Sequence, residues 1–268
     1  MGLKRMSLEN KNAVVYGAGG AVGGAVARAF ARDGARVFLT GRNRAALDSL
    51  AKQIAADGGS AETAEVDAVD EGAVNRHLDA VVASAGSVDV SFNAIGIPQQ
   101  GVQGIPLAEL SVDSFRRPIV TYTTAHFVTA TAAGRRMVPQ GSGVIMMHTP
   151  EPARIGAPLV GGMGPMWAAL EGLNRSLSAE FGPYGVRSLC LRTTGMVDTP
   201  VIDVVFGLHA EAIGITAEEF AGIMNGMTHR KRPTSLAELA DVAALLASDR
   251  AAAMTGTVAN LTGGVIVD

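Results

Sequence analysis

From residue 13 to residue 261 short apolar runs alternate with segments of helical spacing, and this alternation restricts the chain more than any other feature. "AVVY" (13–16) reads as a buried strand, and 21–35 carries a helical apolar period that stops at Gly34. A strand at 36–40, a helix at 44–59 closed by two glycines, a strand at 61–66, a helix at 71–86 and a strand at 88–92 follow. The second half repeats the rhythm. It has a helix at 112–138, a strand at 143–148, a helix within 159–187, a strand at 186–191, a helical insertion at about 200–227, a helix at 236–248 and a last strand at 257–261. Strands separated by helices pair in parallel, because parallel pairing needs crossover connections, and such crossovers are right-handed. The expected architecture is α/β, a doubly wound parallel sheet of Rossmann type with helices on both faces. No Pro/Gly/Ser linker interrupts the 268 residues, which are read as a single domain.

Composition removes several functional classes. A net charge of -3 gives no electrostatic reason to expect nucleic acid, and the basic cluster His229–Arg232 is too short to make a patch. The one cysteine, Cys190, sits in the apolar run "VRSLCL"; it cannot form an internal disulfide or a Cys-cluster metal site, and no metal is expected. No apolar run approaches the ~18 residues of a membrane span, so no membrane partner is expected. The start "MGLKRMSLENKN" turns polar at once and has Met6 where a myristoylation signal needs Ser or Thr. The expectation is a cytoplasmic protein.

The first strand runs into "YGAGGAVGGAVA" (16–27). Glycines at a strand-to-helix turn let the backbone approach a pyrophosphate, and the helix N-terminus supplies free N–H groups and positive partial charge. The pattern G-x-G-x-x-G fits imperfectly, with Val22 at its last position. The longer T-G-x-x-x-G-x-G fits as Tyr16, Gly17, Ala21 and Gly23. The second strand ends "LTGRN", with Gly41 and Arg42 where an acid would hold the ribose hydroxyls of NAD. A guanidinium can pair with a 2′-phosphate, so NADP(H) is favoured over NAD(H).

The spacing at 16–23 resembles that of the short-chain dehydrogenase/reductase family, and the resemblance extends over roughly 8–265. "VDAVD" (66–70) is similar to the segment where an Asp meets the adenine, "FNAIG" (92–96) to N-N-A-G, and "LRTTGMVDTP" (191–200) to P-G-x-V-x-T beside the nicotinamide carboxamide. The cofactor positions so implied are Gly17, Gly19, Gly20, Ala21, Val22, Gly23 and Arg42 at one end. Asp67, Ala68, Asn93, Ala94, Gly96, Trp167, Gly195, Val197 and Thr199 complete the set. Family members are usually homotetramers that pair their long helices, so a homotetramer or homodimer is expected.

The resemblance also implies a catalytic Asn, Ser, Tyr and Lys, and here the chain departs from it. The register of "AALEGLNRSL" (168–177) puts Trp167 at the lysine and Met163 at the tyrosine. Tyr122 falls at the asparagine. Thr149 falls at the serine, with an interval to Met163 about one residue longer than usual. A thioether donates no proton and an indole carries no positive charge. Tyr122 and Thr149 are the remaining candidates for catalysis. Strand alternation should turn His148 away from them, His126 stands one turn after Tyr122, and Glu151 and Arg154 read as exposed. Met146, Met147, Met163, Met166 and Met196 surround the expected nicotinamide site, and 200–227 is similar to the family's substrate lid, so an apolar small-molecule substrate is expected. The favoured reading is an atypical NADP(H)-dependent oxidoreductase that moves hydride to a conjugated C=C, an imine or a carbonyl. A non-redox isomerase, lyase or cyclase on the same fold and a nucleotide-binding pseudoenzyme stay open as alternatives.

Overall fold

In the computed structural model, which describes residues 7–267, seven strands form one parallel sheet in the order β3-β2-β1-β4-β5-β6-β7. The strands are β1 (Asn12–Tyr16), β2 (Arg36–Gly41), β3 (Ser60–Glu65), β4 (Val90–Asn93), β5 (Gly143–Pro150), β6 (Val186–Thr193) and β7 (Val258–Leu261). The chain start, on which the absence of a leader was read, lies outside the described residues as far as Met6. Helices α1 (Ala21–Arg32), α2 (Arg44–Ala56), α3 (Glu71–Ala85), α4 (Val112–Gln140), α5 (Met163–Phe181) and α8 (Leu236–Ala247) connect the strands, and α6 (Pro200–Ile213) with α7 (Ala217–Met227) forms the insertion. The doubly wound α/β sheet is as the alternation implies.

The β1, β4, β5 and β6 strands are buried almost throughout, which explains their near-continuous apolar runs. One face of the sheet packs Val15, Leu39, Phe92, Met146 and Leu191 with α1 and α8; the other packs Val14, Ile145, Met147 and Cys190 with α4 and α5. Met146, Met147 and Met166 belong to these cores and do not line the cavity described below, contrary to expectation. Arg192 and Glu171 form a buried bidentate pair across β6 and α5, with Nη2 to Oε2 at 2.6 Å and Nε to Oε1 at 2.8 Å. Arg230 and Arg232 pair with Glu238 at the surface, so the basic cluster belongs to an ion network and not to a free patch. Among the described residues no single helix is long and apolar enough to cross a membrane.

Helix ends separate into two kinds. Asn43, Asp70 and Ser111 cap α2, α3 and α4 through their side chains, and Thr216 and Ser235 do so for α7 and α8 with full capping boxes. The N-termini of α1, α5 and α6, at Gly20, Gly162 and Thr199, have no side-chain cap. These three open onto the same space.

Candidate active site

Strand order reverses between β1 and β4, and a cavity of about 1370 Å³ opens there at the carboxyl ends of the strands. That is where doubly wound sheets bind ligands. At one end it is framed by the turn after β1. Gly17 has φ +73°, and a Cβ there would stand 2.5 Å from the Ala94 carbonyl oxygen, so only glycine lets β1 turn this closely against the end of β4. Gly19, Gly20, Ala21 and Val22 line the cavity in front of the uncapped N-terminus of α1. A Cβ at Gly96 would meet nothing within 4 Å, so any side chain there would project into the space.

Arg42, exposed at the end of β2, and Asp67 and Ala68 after β3 line the same end. Asn93, Ala94, Gly195, Thr199 and Trp167 line it further on. The Asn93 side chain is used by the fold, donating to Thr129 Oγ1 at 2.9 Å and accepting from the Ile95 amide at 3.0 Å. Two expected cofactor positions fall elsewhere. Gly23 is buried inside α1, where a Cβ would collide with the Gly17 carbonyl; it shapes the turn without facing the cavity. Val197 is exposed and outside the cavity, because the loop after β6 presents Met196 inward instead. Free first-turn amides, glycine-lined walls and a cationic side chain at the far edge fit a dinucleotide.

The other end lies under α6 and α7, whose Phe206 and Phe220 meet edge to face at 5.2 Å. Met163 is buried and Trp167 half-buried, and both line the floor. Tyr122 lines it too. Its Oη accepts the Ile97 amide at 3.3 Å, and burial pushes the phenol up to about 12. Polar groups here mostly bond to one another. His209 Nε2 lies 3.1 Å from Gln103 Oε1, Gln103 Nε2 donates to Gln99 Oε1 at 2.6 Å, and Gln99 Nε2 donates to the Ile97 carbonyl at 2.6 Å.

Thr149 does not line this cavity. It is fully buried on the opposite side of β5, where its Oγ1 donates to Glu171 Oε1 at 3.0 Å. The strand runs two residues beyond the expected 148, and its alternation turns His148 and Pro150 toward the cavity. His148 Nε2 bonds Thr193 Oγ1 at 2.8 Å, and burial together with nearby His126 lowers the imidazole to about 4. His126, also lowered to about 4 by burial, has Nδ1 2.9 Å from the Tyr122 carbonyl. Glu151 is the larger surprise. The short 3-10 turn Glu151–Ala153 packs against the start of α5 and buries this acid to 4% exposure on the cavity wall. Its Oε2 has no partner, and burial raises the carboxyl to about 7. Arg154 is exposed as expected.

Residues 17–266 match the family described as enoyl-(acyl carrier protein) reductase. The chain is a member of the short-chain dehydrogenase/reductase family. It is 31% identical to L-rhamnose 1-dehydrogenase (NAD(P)+) of Azotobacter vinelandii over 98% of this chain and 99% of that one. With gluconate 5-dehydrogenase of Gluconobacter oxydans it shares 28% over 97% and 96%. Among solved structures, NAD+-bound xylitol dehydrogenase superposes with a TM-score of 0.90 at 27% identity, covering 96% of this chain and 99% of that one. Short-chain dehydrogenase/reductase membership makes the chain an oxidoreductase by family, and it accounts for the glycine turn, the helical insertion and the last strand together.

Proposed function

We propose that the chain is an NADP(H)-dependent oxidoreductase that transfers hydride to an apolar substrate at a conjugated C=C, an imine or a carbonyl. Non-standard residues stand at the family's catalytic positions. The observation that carries this reading is the continuity of one cavity, from the glycine turn and Arg42 to an apolar chamber under α6 and α7. A reduced nicotinamide bound there supplies a hydride and no proton.

The chain's own groups divide the remaining work. Backbone amides at the start of α1 would hold the pyrophosphate, and the Arg42 guanidinium would pair with a 2′-phosphate. Met163 and Trp167 take the tyrosine and lysine positions, and Pro150 takes the serine position; using Pro150 in place of Thr149 removes the extra residue in the interval to Met163. None of these three donates a proton to an oxygen. Tyr122 holds its proton at neutral pH and would donate it to a reduced C=C or carbonyl, regaining it from solvent when the lid opens, whereas an iminium becomes a neutral amine on hydride transfer and needs no proton. The lid excludes water. Exposed Val120 and Phe127 on α4 support self-association through that helix.

The test is NADPH and NADH consumption by purified protein across enones, cyclic imines and simple ketones. The reading expects turnover with NADPH on an enone or imine and little on ketones. No oxidation of either nucleotide by any substrate would count against it.

A further inference from the structure

Four charged side chains other than histidine line the cavity among the described residues: Arg28, Arg42, Asp67 and Glu151. The first three lie at the glycine-turn end. Glu151 therefore stands as the one formal charge facing the chamber under the lid. The polar neighbours Gln99, Gln103, His209 and Tyr122 are already bonded within the fold. Glu151 is 4% exposed, forms no salt bridge among the described residues, and leaves Oε2 without any partner. The contrast with Glu171 is instructive, because that equally buried acid has both oxygens taken by Arg192. A buried carboxylate without a partner is costly, and the cost falls when a ligand brings the missing opposite charge.

We infer that Glu151 is the counter-ion for a substrate bearing a basic nitrogen, so that the chamber takes an apolar amine or the corresponding iminium. This rests on the proposed oxidoreductase reading and narrows its substrate class. An ammonium or iminium N–H would donate a charge-assisted hydrogen bond to Oε2. The half-buried indole of Trp167 lines the same cavity, and its π face would be attracted to a cationic carbon or nitrogen there. Phe206 and Phe220 of the lid would cover the hydrocarbon part.

The experiment compares two probes of one shape, dibenzylamine and dibenzyl ether, on full-length protein saturated with NADP+ at mildly alkaline pH. Binding is read by calorimetry and by quenching of Trp167, the single tryptophan. The expected result is amine binding on the order of tenfold tighter than ether. In Glu151→Gln that preference should shrink to about threefold or less, with the NADP+ affinity of the variant kept and its melting temperature no lower than that of the wild type. Equal binding of amine and ether by the wild type overturns the inference. So does an amine preference that survives in Glu151→Gln, and so does binding of neither probe. The nucleotide titration is separate. If NADP+ and NADPH fail to bind at all, the oxidoreductase reading falls instead, and the amine-to-ether ratio measured without nucleotide still decides the role of Glu151.

Discussion

The two ends of the cavity record the family ancestry differently. At the proposed nucleotide end the lining is mostly backbone: glycines, uncapped first-turn amides and a tight turn, placed by chain spacing. At the reactive end it belongs to side chains, and there Met163, Trp167, Pro150 and Tyr122 line the floor while His148 and Glu151 bring polar atoms to new places. A backbone site tolerates sequence drift around it but not loss of its glycines. A side-chain site can be rewritten residue by residue without disturbing the sheet that carries it.

The sharpest way to break this contrast is at the glycines. Gly17→Val forces a branched side chain into positive φ against the Ala94 carbonyl, and should cost roughly 3 kcal/mol or more in denaturant unfolding and abolish nucleotide binding. Gly96→Val meets only open space. It should leave stability within about 0.5 kcal/mol while weakening NADPH on the order of a hundredfold, about 2.7 kcal/mol. If the two variants lose stability equally, the separation of turn geometry from cavity lining is wrong.

At the reactive end Glu151 sets the next largest effect. Its carboxyl, ordinarily near 4.5, is raised to about 7 by burial, so the folded protein holds this proton more tightly than the unfolded chain does. Stability should therefore fall as pH rises from about 4.5 to about 7 and level off above, by about 3 kcal/mol at most for this group. Buried His126 and His148, lowered to about 4, act in the opposite sense between about 4 and 6.5. The difference between wild type and Glu151→Gln isolates the acid, and a difference that does not change with pH would contradict the assignment.

Rebuilding the family groups comes next. Met163→Tyr with Trp167→Lys should give weak carbonyl reduction. Adding Pro150→Ser should raise it on the order of a hundredfold, because positioned proton transfer is worth that much; adding Thr149→Ser should not. Smallest is Arg42→Ala, which should lower NADPH affinity about tenfold and leave NADH unchanged, measured by calorimetry.

How much of this was legible in the sequence follows the same division. The alternation of strands and helices, the glycine turn and Arg42 could be placed from spacing alone, since a backbone cradle depends on chain geometry. The facing of Thr149 and His148 could not, because one residue of strand register exchanges the two sides of a sheet. A signal was present in the interval from Thr149 to Met163, one residue longer than usual, which the proposed placing of Pro150 at the serine position would shorten by one. Glu151 looks like an exposed loop acid in sequence, because nothing in "TPEPAR" shows that a 3-10 turn presses it against α5. The five methionines looked alike in sequence, yet only Met163 and Met196 reach the cavity.

The central claim is that the nucleotide end still works beside a rewritten reactive end, and Trp167 lies on the wall that joins them. Titration with NADPH and with NADH, followed by its fluorescence and by energy transfer to the reduced nicotinamide, tests that claim most directly. The account predicts saturable quenching with both nucleotides, tighter for NADPH. No binding of either nucleotide, by fluorescence and by calorimetry alike, would contradict it.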